Sequence, residues 1–266
     1  MKTSSFIKSV KDNHKDLITA IAKLGYVSRG LVYLIIGYFA TLSMFGHGEA
    51  KGSKSALSTV IQQPFGATLL WIVAVGLICY SLWRLIQSVL DTDDHGLSAK
   101  GFSIRAGLFI SCITHLSLAW WAISLAMGSS EKSGGASWSA KLAATTGGSI
   151  ILAIIAACIL GAGFAHIFKG ATAGFMEHFN DGPNRTLKRI CQVGLITKGI
   201  AFLIISYLFS LTIFNSASNK DFGVEDALNF TGSMTYGWVI LSAMGFGLFA
   251  FGFYSIIAAK YRRIEI

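Results

Sequence analysis

The sequence predicts an all-α membrane protein: six transmembrane helices forming three parallel two-helix repeats, with pseudo-threefold symmetry about the membrane normal. Three observations lead there. Only 13% of the 266 residues are charged and 53% are hydrophobic, with mean hydropathy +0.60, whereas about a quarter of an average soluble domain is charged. Six uninterrupted apolar segments reach the roughly 20 residues that a helix needs to cross about 30 Å of hydrocarbon. One figure also recurs, a cation followed four positions on by an aromatic: Arg29-Gly30-Leu31-Val32-Tyr33, Arg105-Ala106-Gly107-Leu108-Phe109 and Lys198-Gly199-Ile200-Ala201-Phe202. The apolar runs are continuous, unlike the alternating ten-residue strands of a membrane β-barrel.

Residues 1–22 form a leader in which Ile7, Val10, His14, Leu17, Ile18 and Ile21 share one side of a helical wheel, opposite Lys8, Lys11, Asp12, Lys15, Asp16 and the following Lys23. Such a helix is expected to lie in the headgroup plane, lysines toward phosphates, although a plain basic tail fits the same charges. Repeat one covers 23–93, with spans at 25–45 and 66–90; Pro64 opens the second span, where a first helical turn tolerates proline. Repeat two covers 94–188, with spans at 102–127 and 147–169. The connection at 170–191 is a candidate second interfacial segment. Repeat three covers 189–266, with spans at 192–214 and 236–259. Aligning Gly66, Gly148 and Gly237 brings Arg84, His166 and Ser255 into coincidence. The starting cations lie 76 and then 93 residues apart, a repeat of about 80 with an insertion in the second unit. Each unit holds an even number of spans, so all three share one orientation.

Of the 22 Lys and Arg, 17 lie on the two tails, the second and fourth connections and the helix ends beside them. By the positive-inside rule both termini are cytoplasmic, and the net charge of +9 is mainly a topology signal with some affinity for anionic lipid. Nucleic-acid binding is not expected, since no soluble basic face exists. Cys79, Cys112, Cys158 and Cys191 contain no Cys-x-x-Cys pair, so neither a disulfide framework nor a zinc site is expected. Residues 1–24 lack the apolar core of a cleavable signal peptide.

The run from Lys23 to Tyr33, Gln63-Pro64-Phe65-Gly66, Tyr80-Ser81-Leu82-Trp83-Arg84 and Lys169-Gly170-Ala171-Thr172 resemble a bacterial integral-membrane family of uncharacterised function, built of three tandem two-helix repeats. The resemblance covers the chain from about Lys23 to Ile264. It is looser in unit two, where Ala165 and His166 replace an aromatic and a polar residue. It implies the fold and a bacterial inner-membrane location, and no chemistry.

A charge at a helix centre costs about 2.5–3.5 kcal/mol on insertion scales, so the placement of charges is informative. All 13 Asp and Glu lie outside the spans, which argues against a proton- or sodium-coupled transporter and an acidic-ring cation channel. Arg29, Arg84, Arg105, His166, Lys169 and Lys198 are the candidates for binding an anion or a lipid headgroup. Arg29, Arg105 and Lys198 are expected at equivalent positions, either as an inward ring or snorkelling outward to phosphate. One turn deeper, Tyr33, Phe109 and Phe202 would support them by cation–π contact or form a constriction. His115 shares a face with Cys112, but a second ligand at matching depth is missing, so a hydrogen-bonded structural histidine is expected and no metal or cofactor. The abundant glycines mark close helix packing.

No nucleotide loop, nucleophile elbow or paired metal motif is present, and an enzyme is not expected. The favoured reading is a non-enzymatic scaffold or accessory subunit whose basic cytoplasmic face engages anionic lipid or another membrane protein. The alternative is a channel or transporter for an anion or amphiphile through the repeat interface. A membrane enzyme or redox subunit using His115 and Cys112 is third.

Overall fold

In hydrocarbon a backbone must satisfy its own hydrogen bonds, so each long apolar run becomes a helix. The computed structural model describes residues 2–43, 53–129, 145–180, 184–214 and 224–264. Among them are eight α-helices: α1 (Lys2–Ser43), α2 (Ser53–Val60), α3 (Gly66–Leu90), α4 (Ala99–Ala126), α5 (Thr146–Ala171), α6 (Arg185–Phe214), α7 (Val224–Gly232) and α8 (Gly237–Tyr261). A 3₁₀ turn, Gly174–His178, links α5 to α6. Six stretches are long and apolar enough to cross a membrane: Lys15–Leu42 of α1, all of α3, α4, α5 and α8, and Arg185–Leu211 of α6. The chain is a multi-pass helical membrane protein.

Two expectations about the connections change. The leader is helical, but α1 continues through it into the first span, with no break where a turn into the headgroup plane would need one. No proline interrupts this stretch, and the weak helix formers Gly25 and Gly30 are fixed by packing against other helices. The side chains of residues 2–14, which carry most of the amphipathic face, lie outside the described residues. The 170–191 connection is also shorter than its sequence suggests, because α6 begins at Arg185.

Units one and three are built alike. Phe65 and Tyr236 adopt left-handed backbone (φ 59° and 60°) just before Gly66 and Gly237. A Cβ on either glycine would collide with carbonyls ending the short helix before it, Val60 and Ile61 or Thr231 and Gly232. Within unit one, α1 crosses α3 so closely that a Cβ on Gly25 would lie 2.5 Å from the Tyr80 Cα; within unit three, a Cβ on Gly194 would lie 2.5 Å from the Phe251 backbone nitrogen. Ser28 fills the groove at Gly76, and Thr197 fills the matching groove at Gly247.

Unit two is different. The helix α5 starts on a Thr145 cap that accepts the Gly148 N–H at 3.1 Å, and α4 and α5 make at most marginal contact. Among the described residues nothing lies within 4 Å of a Cβ added at Gly107 or Gly161.

Contacts between units are complete. Gly252 of α8 meets Gly30 of α1, each built Cβ 2.9 Å from the other's carbonyl oxygen. Gly163 of α5 meets Gly199 of α6 in the same manner, and the Ser206 hydroxyl donates to the Ala156 carbonyl at 2.8 Å. Between α3 and α4, Ser88 donates to the Arg105 carbonyl at 2.9 Å and Cys112 is buried. The spans therefore follow one another as α4, α3, α1, α8, α6, α5, an open series whose free ends are α4 and α5. These two are the least buried of the six, at 22% and 17% of their apolar windows.

Two main apolar layers fill the interior, beside a smaller cluster of Leu152, Ala156, Ile205 and Phe209 between α5 and α6. The layer toward the connecting loops contains Ile36, Leu57, Leu70, Leu77, Leu228 and Leu248, so α2 and α7 roof that end. The layer toward the termini contains Trp83, Phe175, Phe179, Cys191, Tyr254 and Ile257.

Candidate functional site

Where the two layers meet, among the Tyr26, Tyr80 and Phe251 rings of the terminus-side one, lies a group of cations. Arg29 sits on α1 opposite the α3 and α8 crossings, which leaves it only 4% exposed. Its Nε donates to Ser255 Oγ at 3.1 Å, and another guanidinium nitrogen donates to the Tyr80 hydroxyl. Its Cζ lies 4.7 Å from the Tyr80 ring centroid and 5.2 Å from those of Tyr26 and Phe251. One turn beyond Tyr80, Arg84 donates from Nε to the same hydroxyl at 2.7 Å and from Nη1 to Gln87 Oε1 at 2.8 Å.

Lys198, from α6, is 8% exposed, and its ammonium faces Phe251 at 4.3 Å, Tyr33 at 5.1 Å and Phe202 at 5.4 Å. Among the described residues it has cation–π neighbours but no hydrogen-bond acceptor. Among them too, the ion pairs are those of Asp93, and no carboxylate reaches Arg29, Arg84 or Lys198. Removing a charge from water costs several kcal/mol per ion, and cation–π contacts return about 0.5–2 each. The arrangement is short of negative charge.

The free-ended helices each add an imidazole. His115 of α4 packs edge-on against Tyr80, ring centroids 4.6 Å apart, and His166 of α5 packs against Phe202 at 5.4 Å. In both, Nδ1 lies 2.7 Å from the carbonyl four residues earlier, Ser111 or Ala162, and so carries the proton. Among charged groups, Lys198 acts most strongly on both rings. Both histidines are half-buried rather than sealed.

A polar clasp closes the end bearing the termini. Gln87 relays from Arg84 to Asp93, donating to Oδ2 at 2.8 Å, and Arg262 contacts the same carboxylate at 2.9 and 3.1 Å. The final residues pair with the 3₁₀ turn: Asn180 N–H donates to the Tyr261 carbonyl at 2.7 Å, and Arg263 N–H to the His178 carbonyl at 2.8 Å. Burial alone would raise the Asp93 carboxyl, but Arg262, and after it His178, hold it below the usual range. Burial, with Lys169 and Arg262 nearby, lowers His178 to about 4.

The sequence candidates thus divide. Arg29, Arg84, Lys198 and His166 come together, with Tyr33 and Phe202 around the Lys198 ammonium. Lys169 lies outside the cluster, within electrostatic range of Asp93 and Arg262. Arg105 does not complete a ring: its Nε and Nη2 donate to the Ser88 and Val89 carbonyls at 2.8 and 3.1 Å, where the end of α3 leaves acceptors unfilled. Phe109, one turn on, is 46% exposed and joins no constriction. His115 enters as a ring partner of Tyr80, and among the described residues no three His, Cys, Asp or Glu are placed to hold a metal. Tyr80, Gln87, Ser255, Asp93 and Arg262 were not singled out as site residues, though Tyr80 stands one turn before Arg84 and Ser255 aligns with it.

Comparison with known proteins accounts for the misplaced Arg105. The family described as Domain of Unknown Function (DUF1206) matches residues 24–91, 106–173 and 193–262. Counted from the first residue of each segment, Arg29, Ser111 and Lys198 hold one place, and Tyr33, His115 and Phe202 another. Arg105 precedes its segment. "Uncharacterized protein YxxB" of Bacillus subtilis (strain 168) is 30% identical over 268 residues, covering 97% of this chain and 96% of that protein. No solved structure matches. Three tandem matches and an end-to-end relative establish that this chain belongs to the DUF1206 family.

Proposed function

We propose that the protein binds an anionic headgroup inside the bilayer, on Arg29, Arg84 and Lys198, and acts as a non-enzymatic lipid-engaging scaffold or accessory subunit. One observation carries this reading: Arg29 and Lys198 are buried and Arg84 half-buried among aromatic rings, with no carboxylate in contact among the described residues. A bound phosphate would supply the missing charge through charge-assisted hydrogen bonds. The excess of Lys and Arg toward the termini supports cytoplasmic termini in a bacterial inner membrane. In that orientation the cluster faces the anionic inner leaflet. A channel along the bundle is the weaker reading, because apolar layers flank the cluster on both sides.

The test is lipid retention. Protein released from nanodiscs holding equal amounts of anionic and zwitterionic lipid is examined by native mass spectrometry. Wild type is expected to keep an anionic lipid under conditions that strip the zwitterionic one, Lys198→Met to lose it, and Arg105→Gln to keep it. Equal retention of both lipids by wild type would overturn the proposal.

A further inference from the structure

We infer that the cleft between α4 and α5 seats an acyl chain of the bound lipid, which reaches the cationic cluster sideways from the bilayer and carries a hydroxylated phosphodiester headgroup. The inference rests on the anion-binding reading above and adds to it a route and a ligand class.

The route follows from which contacts close. In units one and three the two helices of the hairpin are locked where Gly25 meets Tyr80 and Gly194 meets Phe251. In unit two the glycine in that place, Gly107, meets no neighbour among the described residues, and the residue opposite it in the repeat is Ala162. Every other neighbouring pair of spans is packed, so the break between α4 and α5 is lateral, at the depth of lipid chains. Along the helices, the cluster is covered by the two apolar layers and the Asp93–Arg262 clasp. A soluble anion would have to pass one of these. A lipid already in the bilayer meets neither.

A gap between two helices is not by itself a site. The second observation is the ammonium of Lys198, 8% exposed and without a hydrogen-bond acceptor among the described residues, which faces Phe202, the ring that His166 of the α5 wall packs against. An anion at the back of the cleft would lie against Lys198, with its apolar part directed outward between α4 and α5.

The imidazoles set the headgroup class. Each donates Nδ1–H to its own helix, so a neutral ring at either place presents Nε2 as an acceptor, and no described residue donates to it. Two acceptors beside three cations suit a phosphodiester for the cations and hydroxyl donors for the rings. A choline headgroup offers no donor and adds a positive charge.

The experiment uses full-length protein in zwitterionic nanodiscs doped with phosphatidylglycerol bearing a diazirine at the end of one chain, with crosslinks mapped by mass spectrometry. Crosslinks are expected on the facing sides of α4 and α5, competed by unlabelled phosphatidylglycerol and lost in Gly107→Trp and Gly161→Trp. Both positions have free space, so these variants should fold, and an unchanged melting temperature checks that they do. His115→Phe with His166→Phe should lower the preference for phosphatidylglycerol over phosphatidic acid.

If wild type does not prefer the anionic probe over its zwitterionic counterpart, the anion-binding reading itself fails. If the preference holds but crosslinks fall on α3 or α8, or survive both tryptophan variants, the anion site stands and the lateral seat is wrong. If inorganic phosphate stabilises wild type and Gly107→Trp alike and displaces the probe, the ligand is a free anion and the inference is overturned.

Discussion

Unit one and unit two place corresponding residues on corresponding helices and pack them in opposite ways. In unit one a tyrosine, Tyr80, lies against Gly25, and the ring face and hydroxyl around that contact organise Arg29 and Arg84. In unit two the corresponding residues are Ala162 and Gly107, the place of Arg84 is taken by His166, and that of Tyr33 by His115. Removing the aromatic removes the surface that would hold the pair together; substituting imidazoles leaves polar atoms on both lips. Duplication supplied three similar hairpins. Divergence of one gave the bundle a side opening.

The sharpest break of this comparison is a matched pair of substitutions. Gly25→Leu must force α1 off the α3 backbone and is expected to cost about 3 kcal/mol or more, enough to abolish monodisperse protein. Gly107→Leu, at the equivalent place, is expected to purify as wild type does. Similar losses in both would show that unit two closes in the membrane. SDS-titration unfolding reads the difference.

Next in size is the clasp that joins unit one to the end of unit three. Asp93→Asn leaves the Arg262 guanidinium buried without its counter-charge and is expected to cost about 3 kcal/mol. Adding Arg262→Met should recover part of that loss, and no recovery would show that the ion pair is not what the first substitution removed.

Protonation probes the same place more gently. His178, lowered to about 4, binds its proton less readily in the folded protein than in the unfolded chain. Its contribution is therefore complete above the ordinary histidine value near 6.5, and is lost as pH falls from there to about 4. Asp93, held below the usual carboxylate range, acts in the same direction at lower pH. Stability should fall on acidification through this window, with His178→Gln flattening the upper part. A melting temperature constant from pH 7 to 4.5 would contradict it.

The smallest effect is expected from Gly107→Ala. With nothing to collide with, it should gain up to about 1 kcal/mol from helix propensity, whereas Gly194→Ala should lose stability.

The spans were legible because apolar length is a property of a continuous stretch, and the repeat was legible in glycines at fixed intervals. The register of unit two was harder. A cation followed four residues later by an aromatic occurs at Arg105, six positions before the true counterpart of Arg29, and hydropathy scores both placements alike. The interval from Gly25 to Gly66, repeated from Gly107 to Gly148, would have chosen Ser111. Arg84 and Lys198 were recognisable as charges in costly places. Their lack of a carboxylate partner was not, because Asp93 lies nine residues from Arg84 in the chain, yet its contact with Arg262, 169 residues away, exists only in the folded bundle.

The most direct measurement is a cryo-electron microscopy structure of wild type in nanodiscs containing phosphatidylglycerol. The account predicts density for a phosphate within hydrogen-bond distance of the Lys198 ammonium, with a chain leaving between α4 and α5 past His115 and His166. A cluster with no bound anion, or α4 packed on α5 as α1 is on α3, would contradict it.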